Sequence, residues 1–156
     1  MKLTGGCQCG AIRYRLNTPP ITVYACHCSH CQKQASSAFG ISVWVREEDF
    51  VLVAGTLQFW EVRGDSGRLK CCGFCGQCGS RIYHRGSAGS DMGEGIIFSV
   101  KGGTLDDARK LEPAAHIWVR SAHHWLQLGR SERLVFETEP DDFDLISQAY
   151  SQRSSS

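Results

Sequence analysis

The sequence lacks the features that would place it in a membrane or attract it to nucleic acid. No stretch of its 156 residues is apolar over the length that a bilayer-spanning helix needs. Neither sign of charge dominates, because 17 Lys and Arg face 16 Asp and Glu, for a net charge of +1. The first residues, 1–7, contain no apolar run of the kind found in signal peptides. We therefore expect a cytoplasmic protein with no nucleic-acid or membrane partner.

The chain also lacks internal repeats and long linkers. Its composition, 42% hydrophobic and 21% charged, is typical of a soluble globular protein. The length is that of one ordinary domain. We predict a single domain over residues 1–150, followed by a flexible polar tail over residues 151–156.

Glycine, by contrast, is abundant, and the 17 glycines separate short runs rich in β-forming residues. This pattern predicts a mainly β fold with little helix. One or two helical turns are expected over Ser29–Ser36. A short amphipathic C-terminal helix is expected from Pro140, with Phe143, Ile146 and Tyr150 at helical spacing. The predicted strands are Ile12–Leu16, Phe39–Val45, Phe50–Val53, Leu57–Arg63, Arg68–Cys72, Arg81–His84, Ile96–Val100, His116–Val119 and Arg133–Glu137.

Cysteine is the residue type that decides the class of function, because the chain has nine. In a reducing compartment, closely spaced cysteines more often bind metal or carry redox chemistry than form disulfides. Two of the spacings, Cys7-x-Cys9 and Cys26-x-Cys28, would also strain a disulfide ring. The sequence therefore predicts metal binding.

One group of four cysteines has the spacing of a closed zinc site. Cys75 and Cys78 form a Cys-x2-Cys turn, in which glycine relieves the crowding of the backbone over the metal. Cys7 and Cys9, also flanked by glycine, are the natural partners, because a metal that joins two distant segments replaces core in a small β domain. We predict that these four cysteines hold a structural zinc ion.

A second group, Cys26, Cys28 and Cys31, supplies three thiolates. Three protein ligands with a fourth position left for water or substrate is the pattern of catalytic zinc. However, His27 or His30 would complete a closed site of three cysteines and one histidine, and such sites are common. The spacing leaves both alternatives open.

Four motifs resemble those of the glutathione-dependent formaldehyde-activating enzyme family, which includes centromere protein V. The likeness spans about Leu3 to Trp125 and includes Pro113, His116-Ile117-Trp118 and Trp125. The motifs are Gly5-Gly6-Cys7-Gln8-Cys9-Gly10-Ala11-Ile12-Arg13-Tyr14, Cys26-His27-Cys28-Ser29-His30-Cys31-Gln32-Lys33, Phe74-Cys75-Gly76-Gln77-Cys78-Gly79-Ser80 and Gly103-Thr104-Leu105-Asp106-Asp107.

The resemblance implies a β-tent of coiled antiparallel sheets that holds two Zn²⁺ ions per chain, one structural and one catalytic. The family's structural ligands fall on Cys7, Cys9, Cys75 and Cys78, and its catalytic ligands fall on Cys26, Cys28 and Cys31. The implied activity is that of a carbon–sulfur lyase, in which a zinc-activated thiol, glutathione or similar, adds to formaldehyde or a related small electrophile. The alternative is a non-catalytic, zinc-stabilised module that binds protein.

For the remaining cysteines we predict no special function, and the choice among the candidate arginines stays open. Cys71 and Cys72 lie outside the ligand sets and are predicted to be ordinary strand cysteines on opposite faces. Four arginines are candidates to bind the carboxylates of glutathione, and the sequence does not choose among them: Arg63, Arg68, Arg81 and Arg85.

Overall fold

The computed structural model describes residues 3–64, 67–86, 95–128 and 133–154, and over these ranges it confirms a mainly β fold with a C-terminal helix. The helices are α1, Ser29–Ala35, and α2, Asp144–Ser154. The strands are β1 Leu3–Gly6, β2 Arg13–Leu16, β3 Thr22–Cys26, β4 Gly40–Arg46, β5 Phe50–Ala54, β6 Leu57–Arg63, β7 Leu69–Cys75, β8 Arg81–Gly86, β9 Ile97–Lys101, β10 Ala115–Ile117 and β11 Leu134–Val135.

The strands form two sheets. One has three strands in the order β1-β2-β5, and the other has eight in the order β11-β10-β3-β4-β9-β8-β7-β6. Pairing is antiparallel except at β10, which runs parallel to both β3 and β11. The family resemblance implies antiparallel sheets, and the described strand pairs agree except at β10, where a long connection returns the chain beside β3 in the same direction.

Two hydrophobic cores lie on opposite sides of the β3–β4 ladder. Val23 and Val43 belong to one core, which contains Cys7 and Cys75. Tyr24 and the three residues Cys26, Cys28 and Cys31 belong to the other, together with Ile146 of α2. Because adjacent residues of a strand face opposite ways, the alternation along β3 places the two groups of cysteines in separate cores.

Sequence reasoning missed two strands, β1 and β3. β1 reads Leu-Thr-Gly-Gly, and its two glycines have low β-propensity. β3 is buried at all five positions, so it shows none of the alternation that marks a half-buried strand. Its side chains are covered on both faces of the sheet, an arrangement that is not evident from the local sequence.

Several predicted boundaries also moved. The C-terminal helix begins at Asp144 rather than at Pro140, because the Asp142 carboxylate accepts a hydrogen bond from the Asp144 N–H (2.8 Å) and so serves an otherwise unpaired donor of the first turn. The helix continues to Ser154, so residues 151–154 of the predicted tail are helical. The strand predicted over His116–Val119 ends at Ile117, since Trp118 adopts a left-handed conformation with φ 59°. The single-domain assignment stays a prediction.

The fourth sequence motif joins the two sheets through Asp106. Its carboxylate accepts hydrogen bonds from the Thr4 hydroxyl (2.6 Å) and from Arg13 Nη1 (2.9 Å). The Arg13 hydrogen bonds, with a smaller contribution from Thr4, lower the pKa of Asp106 to about 2, from an ordinary value of 3.8. The motif thus connects the β1–β2 hairpin to the segment that follows β9 through these hydrogen bonds.

Replacing Asp106 by Asn should lower the free energy of unfolding by about 0.5 kcal/mol at pH 7, a small value because both partners are more than a third exposed. The pKa of Asp106 is lower in the folded state than in the unfolded state. Its contribution to the free energy of unfolding is therefore present above the ordinary pKa of 3.8 and is lost as the pH falls toward 2. Urea unfolding at several pH values measures the difference. In an Arg13→Gln background the same substitution should have little effect, and an equal loss in both backgrounds would contradict the ion-pair explanation.

Candidate metal centre

The first cluster contains the four cysteines that spacing assigned to the structural site. The Sγ atoms of Cys7, Cys9, Cys75 and Cys78 all lie within 4.8 Å of one another. The Cys7–Cys9 Sγ distance is 3.4 Å and the Cys9–Cys75 Sγ distance is 3.8 Å. None of the cysteines forms a disulfide.

Tight turns at the ends of two strands position this cluster. Cys7 follows β1, and its Sγ accepts a hydrogen bond from the Ile12 N–H (3.2 Å). Cys75 ends β7, and its carbonyl accepts from the Gly79 N–H (2.9 Å). Gly79 has φ +75°, which favours glycine, so the Cys-x2-Cys turn closes without strain.

The donor set fits a tetrahedral zinc ion. Zn–S bonds of about 2.3 Å place neighbouring sulfurs of a tetrahedron about 3.8 Å apart, close to the spacing found here. Hydrogen bonds with Ser80 lower the pKa of Cys78 to about 5, which favours the thiolate that a metal requires. The cluster can therefore hold a metal ion between the β1–β2 and β7–β8 turns.

The second cluster brings together Cys26, Cys28 and Cys31, again within 4.8 Å. Cys26 ends β3, and Cys28 is the N-cap of α1, where its Sγ accepts a hydrogen bond from the Cys31 N–H (3.4 Å). All three residues are at most 5% exposed. The end of β3 and the first turn of α1 thus bring the three sulfurs together in an apolar core.

Charge is crowded in this second cluster. Hydrogen bonds with Cys26 and Cys28 lower the pKa of Cys31, and the charges of Lys101 and Lys70 lower it further against the opposing effect of burial. Hydrogen bonds with Cys28 and Cys31, reinforced by burial, raise the pKa of Cys26. Three adjacent buried thiols therefore cannot all ionise without a cation among them, which is the condition that a bound metal would satisfy.

The histidines of the second motif do not join the three sulfurs. Within the described ranges, no imidazole nitrogen of His27 or His30 lies within 4.8 Å of all three sulfurs. The His27 ring is buried, and its Nε2 lies 2.9 Å from His116 Nδ1 of β10. Burial, with the charges of His116 and His123, lowers the pKa of His27 to about 4, so its ring is neutral. The geometry favours three protein ligands over four.

Comparison with known proteins agrees with these two clusters. Residues 2–121 match the family described as glutathione-dependent formaldehyde-activating enzyme. The chain belongs to this family. Among curated proteins, none matches the chain significantly.

The fold of this family member is also found in a crystal structure of a Rhodobacter sphaeroides protein from structural genomics. The two share 20% sequence identity with a TM-score of 0.50, over 85% of this chain and 98% of that chain. At this identity the likeness concerns the fold alone. Membership of the formaldehyde-activating enzyme family supports a glutathione-related function, and the two clusters can bind metal ions.

Sequence reasoning about this family member missed Lys101 and His84, which lie beside the second cluster. Lys101 Nζ is 2.8 Å from His84 Nδ1. The available signal was the pattern of β9, Ile-Phe-Ser-Val-Lys, in which polar residues alternate with apolar ones inside a buried strand. Cys72, predicted to be an ordinary strand cysteine, is fully buried and belongs to neither cluster.

The described residues also form a surface cavity of about 760 Å³ away from both clusters. Trp44, Arg68, Glu139 and Phe143 are among its lining residues, and no cysteine contributes to it. Arg68 forms a salt bridge with Glu139 there. This removes Arg68 from the arginines available to a substrate at the second cluster.

Neither helix, over the residues described, is long and apolar enough to cross a membrane.

Proposed function

We propose that this protein is a cytoplasmic, zinc-dependent carbon–sulfur lyase of the S-(hydroxymethyl)glutathione synthase type, with the β-tent architecture and two zinc ions per chain. In the reaction, the sulfur of a thiol bonds to the carbonyl carbon of formaldehyde or a related small electrophile. The carbonyl oxygen takes up a proton, and the thiol loses one. The observation that carries the proposal is the buried cluster of three thiols without a fourth protein ligand among the described residues.

Cys7, Cys9, Cys75 and Cys78 would hold the structural ion, and Cys26, Cys28 and Cys31 would hold the catalytic one. A zinc ion held by these three sulfurs would supply a positive charge that lowers the pKa of an incoming thiol. Three thiolates leave the site with net negative charge, which suits the delivery of a soft thiolate better than the polarisation of a carbonyl. The apolar core around the cluster excludes water from the reacting sulfur.

Hydrogen bonds of Gln32 and His27 fix the conformation of the turn that carries the second cluster. The Gln32 side-chain amide donates hydrogen bonds to the carbonyls of His27 and Ser121, both at 2.8 Å. The His27 N–H donates to the Ile117 carbonyl (2.9 Å). These bonds tie the turn that carries the three cysteines to β10 and to the segment beyond it. A fixed turn presents the sulfurs in one geometry.

Cobalt substituted for zinc tests this function through the absorption of the metal. Adding glutathione should change the spectrum, because a thiol that reaches the open position changes the ligands of the ion. S-methylglutathione, which has no ionisable thiol, should leave the spectrum unchanged. A spectrum that responds to no thiol, in a protein with both sites filled, would show that the second site is closed and that the enzyme proposal fails.

A protein-binding module is the second candidate function. Strand β6 is at the edge of the eight-stranded sheet, and Phe59 and Trp60 on it are 56% and 52% exposed. Exposed aromatic residues on a sheet edge are typical of interaction surfaces. The cobalt experiment separates the two candidates, since a module with two closed sites gives no response to thiols.

A further inference from the structure

Several basic residues lie on the same sheet face as the three-cysteine cluster. Tyr24, Ser42 and Lys101 form one row across β3, β4 and β9. Side chains paired across antiparallel strands share a face, as do residues two apart along one strand. Cys26 is two residues beyond Tyr24, so Cys26 and Lys101 lie on one face.

The same face continues across β8 and β7. His84 pairs with Ser99, two residues before Lys101, and Cys72 pairs with His84. Lys70 is two residues before Cys72 and therefore shares its face. The pairing shifts after Gly73, so that Arg81 lies opposite Phe74. Because Phe74 is two residues beyond Cys72, Arg81 joins this face, and its guanidinium lies 5.6 Å from the centre of the Trp60 ring.

We name Lys70, Arg81 and Lys101 the basic cluster. All three are half-buried. Their charges, after the larger effect of burial, lower the pKa of His84, so its ring is neutral and its Nδ1 accepts a hydrogen bond from Lys101 Nζ at 2.8 Å. Three cations thus converge on one neutral imidazole beside the thiolates.

Among the described residues, no carboxylate forms a salt bridge with the basic cluster. Among the described parts of the chain, the salt bridges join Arg13 to Asp106, Arg68 to Glu139 and Lys110 to Asp107. Within the described part of the chain, two polar atoms at this face are buried without a hydrogen-bond partner, Arg81 Nη1 and Ser99 Oγ. Ser99 is only 4% exposed. Buried polar atoms are almost always paired, so unpaired ones beside three cations indicate a missing anionic partner.

We propose that Lys101 and Arg81, supported by Lys70, bind a carboxylate of the incoming thiol and so restrict the substrate to thiols that carry carboxylates. The inference rests on the proposed function for the identity of the ligand as a thiol. Arginine and lysine form their strongest hydrogen bonds with such anions, particularly where water is partly excluded. The residues are specificity determinants and take no part in bond making.

A simpler role for the basic cluster is to offset the negative charge of the three thiolates. Cys31 and Lys101 do influence each other's pKa. This role requires no ligand, and it predicts that loss of a cation weakens metal binding. The carboxylate-binding role instead predicts that metal content stays constant while ligand affinity falls.

Calorimetric titration with S-methylglutathione tests the inference without turnover. This probe carries two carboxylates and no free thiol, and its dimethyl ester carries no carboxylate. In the wild-type protein, the acid should bind at least about tenfold more tightly than the ester, the usual effect of a charge-assisted pair. Equal affinities, or no binding of the acid, would overturn the proposal.

Single-residue variants then show which side chains cause the preference for the acid over the ester. Lys101→Met and Arg81→Gln should each weaken binding of the acid by about tenfold, with the ester unaffected and the metal content unchanged. Lys110→Met removes an exposed lysine from the 3₁₀ turn Ala108–Lys110 and should retain the wild-type preference. If the two site variants lose metal, the basic cluster serves the thiolates and the proposal fails. Arg81 is the first residue of β8, whereas Lys101 contacts the buried His84 ring, so the Arg81 variant remains informative if Lys101→Met does not fold.

Activity separates this inference from the proposed function. Wild-type protein that prefers the acid form but adds no thiol to formaldehyde would retain the carboxylate site and reject the lyase. A lyase that uses neutral thiols as well as glutathione would retain the function and reject the site. If both hold, the variants should raise KM for glutathione about tenfold and leave kcat nearly unchanged.

Discussion

Replacing Cys75 by Ala should leave the protein largely unfolded. Cys75 is 1% exposed, lies at the end of β7 and belongs to the four-sulfur cluster that joins two distant turns. Structural zinc in small peptides contributes about 10–16 kcal/mol, which equals or exceeds the stability of a whole domain. Far-UV circular dichroism and thermal melting measure the loss, and metal analysis should fall below two equivalents per chain.

Cys72→Ala is the matched control for this substitution. Cys72 is on the same strand, is 0% exposed and belongs to neither cluster. Its replacement removes an equal number of buried atoms and should cost about 1–2 kcal/mol without loss of metal. Melting temperatures within a few degrees of each other in the two variants would show that the four-cysteine site does not stabilise the fold.

Replacing Cys28 by Ser should abolish activity while the fold remains. Cys28 is also the N-cap of α1, and Ser is a preferred N-cap residue that can accept the same hydrogen bond from the Cys31 N–H. The substitution therefore removes a thiolate without removing the cap, which Ala would do. We expect one metal equivalent instead of two, an almost unchanged melting temperature, and a fall in the rate of thiol addition of at least about a hundredfold.

The control for Cys28→Ser is Cys71→Ser, at a half-buried cysteine outside both clusters. This variant should keep two metal equivalents and full activity. The division between a structural and a catalytic site would be wrong if Cys28→Ser melted as low as Cys75→Ala. It would equally be wrong if Cys28→Ser kept its rate after losing the second metal.

The two clusters were predictable from the sequence because their geometry is largely local. Cys26, Cys28 and Cys31 lie within six residues of one another, and a strand end followed by a helical turn suffices to converge them. Cys7 and Cys9 also needed a distant pair, and the Cys-x2-Cys turn was the clear candidate. The amphipathic pattern that ends in Tyr150 likewise predicted α2, although the capping carboxylate of Asp142 shifted its start.

The sequence by itself therefore determined the mainly β class, the grouping of seven cysteines and the family. The tertiary structure decided what surrounds the second cluster. Parallel pairing of β10 with β3 brings His116 within hydrogen-bond distance of His27. His27, a histidine of the second motif, is thereby held by His116 and does not bind at the sulfurs. The register of β9 against β4 and β8 places Lys101 beside His84 and the thiolates. Such contacts depend on strand register between distant segments, where a shift of one residue reverses the face of every side chain.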